Sequence, residues 1–139
     1  MLYRKVASLK ELPDVVKDIV NLLPSSAIVL LNGDLAAGKT TLVSNIVKEL
    51  NGSKATSPTF SLQQVYKEGL YHYDFYRVEL EEIIELGLLE ELEKDGLHFV
   101  EWAREPLVEI LKEAGFSIYK IDIKILANKR EYKLEVVDA

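Results

Sequence analysis

An eight-residue loop between two apolar segments constrains the fold more than any other feature of this chain. Residues 33–40 read Gly-Asp-Leu-Ala-Ala-Gly-Lys-Thr and match the phosphate-binding pattern G-x-x-x-x-G-K-(S/T) in full. The glycines let the backbone wrap around a phosphate with its N–H groups pointing inward. The lysine adds a point charge for the phosphate oxygens, and the hydroxyl of Thr40 can ligate Mg²⁺. The pattern therefore predicts a nucleotide phosphate site.

The residues on either side place this loop between a strand and a helix. Ala27-Ile28-Val29-Leu30-Leu31 is apolar and rich in β-branched residues, which is typical of a buried parallel strand. After the loop, apolar residues at 42, 43, 46, 47 and 50 have helical spacing, and Asn51-Gly52 can end the helix. Because strand, loop and helix follow in this order, the helix N-terminus would face the phosphates.

Composition narrows the class of protein. The 139 residues are 48% hydrophobic, which predicts one domain over residues 1–139 with a sizeable core. No apolar run approaches the roughly 18 residues of a membrane span, and the N-terminus has no apolar signal segment. The absence of cysteine and these features predict a cytoplasmic protein with no membrane partner. The net charge of −6 argues against DNA binding and against a broad RNA surface.

Periodicity along the rest of the chain predicts an α/β fold. We expect the three-layer fold of P-loop NTPases, with a mixed sheet of parallel core strands and antiparallel marginal hairpins. Ser8 and Glu11 resemble a capping box at the first helix. The helices are predicted at about 9–23, 39–50, 79–95 (broken near Gly87) and 105–114. The strands are predicted at about 2–7, 27–32, 60–66, 70–76, 97–100, 116–126 and 131–137.

Two acidic residues are candidates for metal chemistry, since Mg²⁺ prefers oxygen ligands and phosphoryl transfer needs charge neutralisation. Glu101 ends a predicted strand, where ligands bind in open α/β sheets, although an exposed strand-end glutamate is the alternative. Asp74 lies among aromatic residues, where aspartate is uncommon in a strand. It could bind metal or orient water, or else pair with Arg77 or face solvent. His72 would share the face of Asp74, and a structural role is favoured for it.

Two further features leave their roles open. Ser57-Pro58-Thr59-Phe60 is a short polar loop before a predicted strand. A hydroxyl-bearing loop at this place can sense a γ-phosphate or Mg²⁺, or it can be a plain connection. Trp102, which is the only tryptophan, adjoins Glu101 and could lie at the nucleotide, at a partner interface or in the core.

Two other segments are interpreted as structural. Asn128-Lys129-Arg130-Glu131 nearly matches the guanine-binding N-K-x-D motif, but it lies between alternating strands and ends in glutamate. We interpret it as a turn, which leaves guanine specificity unsupported. The glutamate-rich stretch from Glu79 to Glu93 is interpreted as a solvated helix face.

Taken together, four motifs resemble those of the bacterial TsaE (YjeE) family of small P-loop ATPases. The resemblance covers most of the chain, and the ordered set is more specific than the P-loop alone. The motifs are the loop from Gly33 to Thr41, Ser57-Pro58-Thr59, His72-Tyr73-Asp74-Phe75-Tyr76-Arg77 and Glu101-Trp102.

The resemblance implies a function in tRNA modification. Family members bind ATP and Mg²⁺, hydrolyse ATP weakly alone, and support synthesis of threonylcarbamoyladenosine beside the anticodon. They act with the proteins TsaD and TsaB, which implies that tRNA is reached indirectly and that hydrolysis resets the complex. The implied catalytic residues are Lys39, Asp74 and Glu101, and the implied metal ligands are Thr40, Glu101 and Asp74. The implied nucleotide contacts are Asp34, Leu35, Ala36, Ala37, Gly38, Lys39, Thr40, Thr41, Thr59 and Trp102.

One position departs from the family pattern. The family usually has glycine where this chain has Ala36. Alanine is small, but it is strained if that position needs a positive φ. The departure concerns the detailed loop conformation more than nucleotide binding, because Gly33, Gly38, Lys39 and Thr40 are all present.

Two other functions are compatible with the same loop. A small-molecule kinase would need an acceptor pocket and lid, often rich in arginine, and after the loop this chain offers only Arg77, Arg104 and Arg130. A non-hydrolysing, nucleotide-gated interaction module would bind ATP without releasing phosphate.

Overall fold

The structure, a computed structural model, describes residues 1–34, 36–52, 62–67 and 69–137. Within these residues, seven strands form one sheet: β1 (Tyr3–Ala7), β2 (Ala27–Asn32), β3 (Gln63–Lys67), β4 (Leu70–Asp74), β5 (Leu97–Glu101), β6 (Ile118–Leu126) and β7 (Lys129–Val137). The helices described there are α1 (Leu12–Leu22), α2 (Lys39–Glu49), α3 (Leu80–Glu85), α4 (Leu88–Leu92) and α5 (Glu105–Glu113).

The strand order brings the ends of three strands together. The order is β1-β7-β6-β2-β5-β4-β3, in which β4, β5, β2 and β6 are parallel neighbours. β7 and β3 are antiparallel to β6 and β4, respectively. The register pairs Leu31 of β2 and Asp74 of β4 with Glu101 of β5. The carboxyl ends of these three strands therefore lie side by side, at the edge where open α/β sheets bind ligands.

Both faces of the central sheet are covered by helices. In β2, Val29 and Leu31 join the core against α1 and α2, whereas Ile28 and Leu30 join a second core against α3, α4 and α5. Alternate side chains of a strand point to opposite faces, so a strand buried on both faces is apolar throughout. This arrangement is the three-layer α/β fold that the apolar run before the loop predicts.

The mixed sheet of the P-loop type is confirmed, and the differences lie at element ends. The helix predicted from residue 9 begins as a 3₁₀ turn, Leu9–Glu11, where the Glu11 carboxylate accepts the Ser8 N–H at 2.9 Å. The helical segment after residue 79 is divided at Gly87, whose φ of +74° favours glycine. No helix in the described ranges is both long and apolar enough to cross a membrane.

The strand predicted to reach residue 76 ends at Asp74 because a turn starts there. Its Oδ1 accepts the backbone N–H of Tyr76 at 3.0 Å, a local contact that competes with strand pairing. The strand predicted over 60–66 begins at Gln63, and residues 60 and 61 lie outside the described part. β6 begins at Ile118, two residues later than predicted.

Candidate functional site

The loop after β2 has the backbone geometry of an anion cradle where it is described. Gly38 has a φ of +104° and directly precedes α2, so the loop opens onto the N-terminus of that helix. A Cβ at Gly33 would lie 2.9 Å from the backbone oxygen of Ile123, a contact that excludes any side chain. Ala36 has a φ of +67°. This is the conformation that is strained for alanine and that glycine, the usual residue of the family at this position, adopts easily. Leu35 lies outside the described residues.

Lys39 starts α2 with its side chain folded back over the loop. The residue is 6% exposed, and its Nζ donates to the Gly33 backbone oxygen at 2.5 Å. The same Nζ lies 3.7 Å from the centre of the Trp102 ring, which is a cation–π contact. The ammonium thus rests between a carbonyl and an aromatic face, next to the backbone that the motif provides for phosphate.

Thr40, Glu101 and His72 meet beside the first turn of α2. The Thr40 hydroxyl donates to Glu101 Oε2 at 2.9 Å, which joins the loop helix to the end of β5. His72 Nε2 lies 2.5 Å from the same oxygen. Glu101 is 4% exposed and His72 is 8% exposed, so the carboxylate is held in a largely dry environment by two neighbours.

The electrostatic environment of Glu101 favours its charged form. Burial is the largest single influence on the pKa of this carboxyl and raises it. His72, Thr40 and Lys39 act in the opposite direction, and together they hold that pKa below its ordinary value. Glu101 is therefore an anionic oxygen donor at neutral pH, as a metal ligand must be.

Asp74 lies beside Glu101 in the sheet register but is exposed. Its side chain accepts the Tyr76 N–H and so shapes the turn after β4. The structure places this carboxylate at the same edge of the sheet as the Thr40–Glu101 pair, without a direct contact to it among the described residues.

Two loops after β4 and β5 enclose a cavity of about 350 Å³ next to Lys39. Trp102 and Arg77 both have positive φ, of +62° and +60°, and such strain in bulky residues is concentrated at functional sites. The Trp102 ring packs against Tyr76 at 5.0 Å. The cavity is lined by Leu31, Asn32, Gly33, Lys39, Tyr76, Arg77, Trp102, Ala103 and Arg104.

A second cavity, of about 400 Å³, lies on the other side of the loop. Asn128 lies in a two-residue turn between β6 and β7, as predicted, and Arg130 Nε donates to the Ala37 backbone oxygen at 3.2 Å. The sequence did not predict this contact between the turn and the loop. The likeness of Asn128-Lys129-Arg130-Glu131 to a base-binding motif was the one signal that could have indicated it. The cavity is lined by Ala7, Leu9, Leu12, Ala36, Ala37, Gly38, Thr41, Ala127, Asn128, Lys129, Arg130 and Tyr132.

The donor set fits Mg²⁺ better than a transition metal. No group of three or more His, Cys, Asp or Glu side chains forms a metal cluster in the described ranges. Mg²⁺ keeps several waters and is bound in nucleotide sites through one or two protein oxygens plus phosphates. Thr40 Oγ1 and the Glu101 carboxylate supply such oxygens at the start of α2.

The structure brings most of the predicted site residues to one edge of the sheet. Lys39, Thr40, Glu101 and Trp102 lie together, and Asp74 lies beside Glu101. Thr59 and its loop 57–60 lie outside the described residues. His72, for which a structural role is favoured by sequence, contacts Glu101 directly.

Comparisons with known proteins agree on one family. Residues 6–134 match the family model described as threonylcarbamoyl adenosine biosynthesis protein TsaE. The tRNA threonylcarbamoyladenosine biosynthesis protein TsaE of Rickettsia typhi is 40% identical over 128 residues, covering 87% of this chain and 85% of that protein. The protein of the same description from Bacillus subtilis is 34% identical, covering 88% and 87%. The crystal structure of YdiB from Bacillus subtilis superposes with a TM-score of 0.69 at 25% identity, covering 99% of this chain and 88% of that chain.

Proposed function

Because the chain belongs to the TsaE family of threonylcarbamoyladenosine biosynthesis proteins, we propose that it is the ATP-binding and ATP-hydrolysing subunit of that tRNA-modifying machinery. One observation carries the proposal. The Thr40 hydroxyl is hydrogen-bonded to the buried Glu101 carboxylate at the N-terminus of α2, beside Lys39. A hydroxyl and a carboxylate in contact at a phosphate-binding loop are what a magnesium nucleotide requires.

The phosphates of ATP would be bound by the loop. Backbone N–H groups of the cradle and the N-terminus of α2 favour anions, and Lys39 would exchange the Gly33 carbonyl for a phosphate oxygen. Thr40 and Glu101 would hold Mg²⁺, with Asp74 assisting at the metal or at the attacking water. When bound, Mg²⁺ neutralises charge on the phosphates.

The adenine base has a compatible cavity on the far side of the loop. The cavity of about 400 Å³ lies between Thr41 and the β6–β7 turn, and Ala36 and Gly38 of the loop also line it. Leu9, Leu12 and Tyr132 give it apolar walls, and Asn128 supplies a side-chain amide at its rim. A nucleotide would thus extend from this cavity, across the loop, to the Thr40–Glu101 pair.

The proposed purpose of hydrolysis is the one that the resemblance to the family implies. TsaD and TsaB are the proposed partners, and tRNA would be bound through their complex. The net charge of −6 is consistent with RNA binding by the partners and not by this chain, since a chain with 23 acidic and 17 basic residues is a poor RNA-binding surface by itself. Hydrolysis would reset the complex between turnovers.

A small-molecule kinase is the second candidate, and one observation favours it. Arg77 and Arg104 both line the cavity of about 350 Å³ beside Lys39, where an anionic acceptor could bind. Phosphoryl transfer to an added metabolite, without any response to TsaB and TsaD, would favour the kinase.

The proposal is tested by phosphate release with and without a TsaB–TsaD complex. We expect stimulated hydrolysis in the wild type and a loss of about 100-fold or more in Lys39→Ala and Glu101→Ala, because each removes charge stabilisation at the phosphates or metal. Lys48→Ala and Glu109→Ala are matched controls, since both residues are exposed on helices. ATP binding without phosphate release in the presence of both partners would instead indicate a nucleotide-gated interaction module.

A further inference from the structure

We propose that His72 is a positioning residue that holds the Glu101 carboxylate in its metal-binding orientation. The inference rests on the proposed function, because it concerns the same Mg²⁺ site. It differs from the expectation for a lone histidine, which is a structural role in the core. The proposal follows from the contacts around the two side chains.

The sheet places the two side chains on one face. His72 lies in β4 opposite Phe99 of β5, and Glu101 follows two residues later on the same face as Phe99. Diagonal neighbours on adjacent strands are within reach of long side chains. The distance of 2.5 Å between His72 Nε2 and Glu101 Oε2 is therefore a direct consequence of strand order and register.

The contact fixes which nitrogen carries a proton. A carboxylate oxygen only accepts hydrogen bonds, so His72 Nε2 must donate to Glu101. On the other side of the ring, the Tyr66 hydroxyl lies 3.5 Å from Nδ1, and the Tyr66 and His72 rings stack at 6.4 Å with 16° between their planes. The imidazole is thus held between Tyr66 and Glu101.

Within the part of the chain that the structure describes, both hydrogen bonds to the Glu101 carboxylate fall on one oxygen, which leaves the other for a metal. Glu101 Oε2 accepts from both the Thr40 hydroxyl and His72 Nε2. These two donors, from α2 and β4, lock the rotation of the carboxylate and direct its other oxygen. Donors that orient a ligating carboxylate in this way typically account for about 10–100-fold in metal affinity. Without His72 the buried carboxylate would keep only Thr40 of these two described donors.

Two variants of His72 distinguish a role in positioning the Glu101 carboxylate from a role in filling space. His72→Met fills a similar volume without a donor, whereas His72→Gln places an amide nitrogen near the position of Nε2. The measured quantity is the affinity for ADP by isothermal titration, once in EDTA and once in saturating Mg²⁺. The ratio of the two dissociation constants reports the metal site. His98→Gln changes the other histidine of the chain, which faces the opposite core, and serves as the control.

We expect His72→Met to lower the Mg²⁺-dependent gain in affinity by about 10–100-fold while the affinity in EDTA stays within about 2-fold of wild type. His72→Gln should retain the gain within about 3-fold, and His98→Gln should leave it unchanged. Equal losses in EDTA and in Mg²⁺, or no loss in His72→Met, would overturn the positioning role.

A second readout needs no ligand. Long-range ¹⁵N–¹H correlation spectra of the two histidine rings identify the protonated nitrogen of each, and the His98→Gln variant assigns them. The proposal requires a proton on His72 Nε2 in the wild type. A neutral ring protonated only at Nδ1 would contradict it, because such a ring cannot donate to Glu101.

The outcomes also distinguish this inference from the proposed function. If the wild type binds ADP with a Mg²⁺-dependent gain that His72→Met keeps, only the positioning role fails. If the wild type binds ADP with no gain from Mg²⁺, the metal site and the positioning role both fail. If the wild type binds neither ADP nor ATP, the proposed function is overturned together with the inference.

Discussion

At the scale of single residues, backbone strain is concentrated around the two cavities. Five non-glycine residues in the described ranges have positive φ, and four of them, Ala36, Arg77, Trp102 and Ala127, line one cavity or the other. Such conformations cost of order 1–3 kcal/mol each and persist where the surrounding structure requires them. The loops around residues 33–40 therefore hold conformations that lower the free energy of unfolding.

Ala36 offers a direct test of this cost. Its φ of +67° is unfavourable for alanine and free of strain for glycine, so Ala36→Gly should raise the free energy of unfolding by about 0.5–1 kcal/mol. The gain is less than the full strain because glycine also makes the unfolded chain more flexible. Urea unfolding followed by circular dichroism measures the change.

The matched control for this prediction is Ala114→Gly. Ala114 is also exposed, but its φ is −77°, so glycine there relieves nothing and should lower stability by up to about 1 kcal/mol. Opposite signs for the two substitutions are the expected outcome. A loss in both would show that the loop conformation at Ala36 carries no strain.

The candidate site was predictable at the residue scale only in part. The pattern of the loop identifies Lys39 and Thr40, and the position at a strand end identifies Glu101, which the structure places 2.9 Å from Thr40. The partnership of His72 with Glu101 was not predictable, because it depends on β4 and β5 being neighbours in register. A period of two places His72 on a face, but it does not show which side chain lies opposite.

At the scale of elements, β4 and β5 approach each other closely where they begin. A Cβ at Gly96 would lie 2.4 Å from the Gly69 backbone oxygen and 2.5 Å from its Cα. Gly96 also has a φ of +128°, so a side chain there is excluded by both space and conformation. These two glycines let the parallel pair carry His72 and Glu101 in register.

Gly96→Ala should therefore lower the free energy of unfolding by about 3 kcal/mol or more, through displacement of the β4–β5 pair. Gly115→Ala is the matched control, because Gly115 has a φ of +81° with no atom near the added methyl group. Gly115→Ala should lower the free energy of unfolding by only about 1–2 kcal/mol, because only the backbone conformation is unfavourable there. Denaturant unfolding of both variants checks the difference, and equal losses would show that the close approach contributes nothing.

A second feature at the scale of elements is the polar contact that joins β4, β5 and the turn after α4. His98 Nε2 donates to the Lys94 backbone oxygen at 2.7 Å, so Nδ1 is free of its proton and accepts the Tyr73 hydroxyl at 2.8 Å. Burial lowers the pKa of His98, and the Lys94 charge adds to this, while the Lys94 carbonyl and Glu91 act in the opposite direction. The environment of the buried ring therefore favours its neutral form in the folded protein.

This environment predicts a pH dependence of stability. Because the pKa is lower in the folded than in the unfolded chain, the unfolded chain binds the proton first as the pH falls. The contribution of His98 is complete above its ordinary value of 6.5 and is lost as the pH falls from there through the folded pKa. In His98→Gln the loss of stability between about pH 7 and pH 5 should be smaller than in wild type.

The same variant should be less stable than wild type at pH 8 by about 1–3 kcal/mol, since the Tyr73 hydroxyl loses its buried acceptor. Chemical unfolding at a series of pH values gives both quantities. A pH dependence identical to that of wild type would show that His98 does not titrate on unfolding.

At the scale of the whole molecule, the candidate site lies on one face of the sheet and an apolar core lies on the other. The face against α1 and α2 carries His72 and Glu101, which meet Thr40 at the start of α2, whereas the face against α3, α4 and α5 is an apolar core with the Tyr73–His98 contact. Parallel strands buried on both faces made this layering predictable from the apolar run 27–31. The strand order, which decides the neighbours of β5, was not predictable from the sequence, because local periodicity carries no information on long-range pairing.

A ligand that bridges α2 and β5 should stabilise the whole fold, since it binds only the folded chain. If Mg²⁺-ATP is that ligand, as proposed, a concentration of 100 times its dissociation constant should add about 2.7 kcal/mol, which corresponds to a rise of about 10 °C in the thermal midpoint of a chain of this size. Lys39→Ala should abolish most of this rise, and Lys48→Ala on the same helix should keep it. Thermal unfolding by circular dichroism, with and without Mg²⁺-ATP, measures the effect. An equal rise in Lys39→Ala would mean that the nucleotide binds away from the loop, and the magnesium nucleotide would then have to be placed elsewhere on the fold.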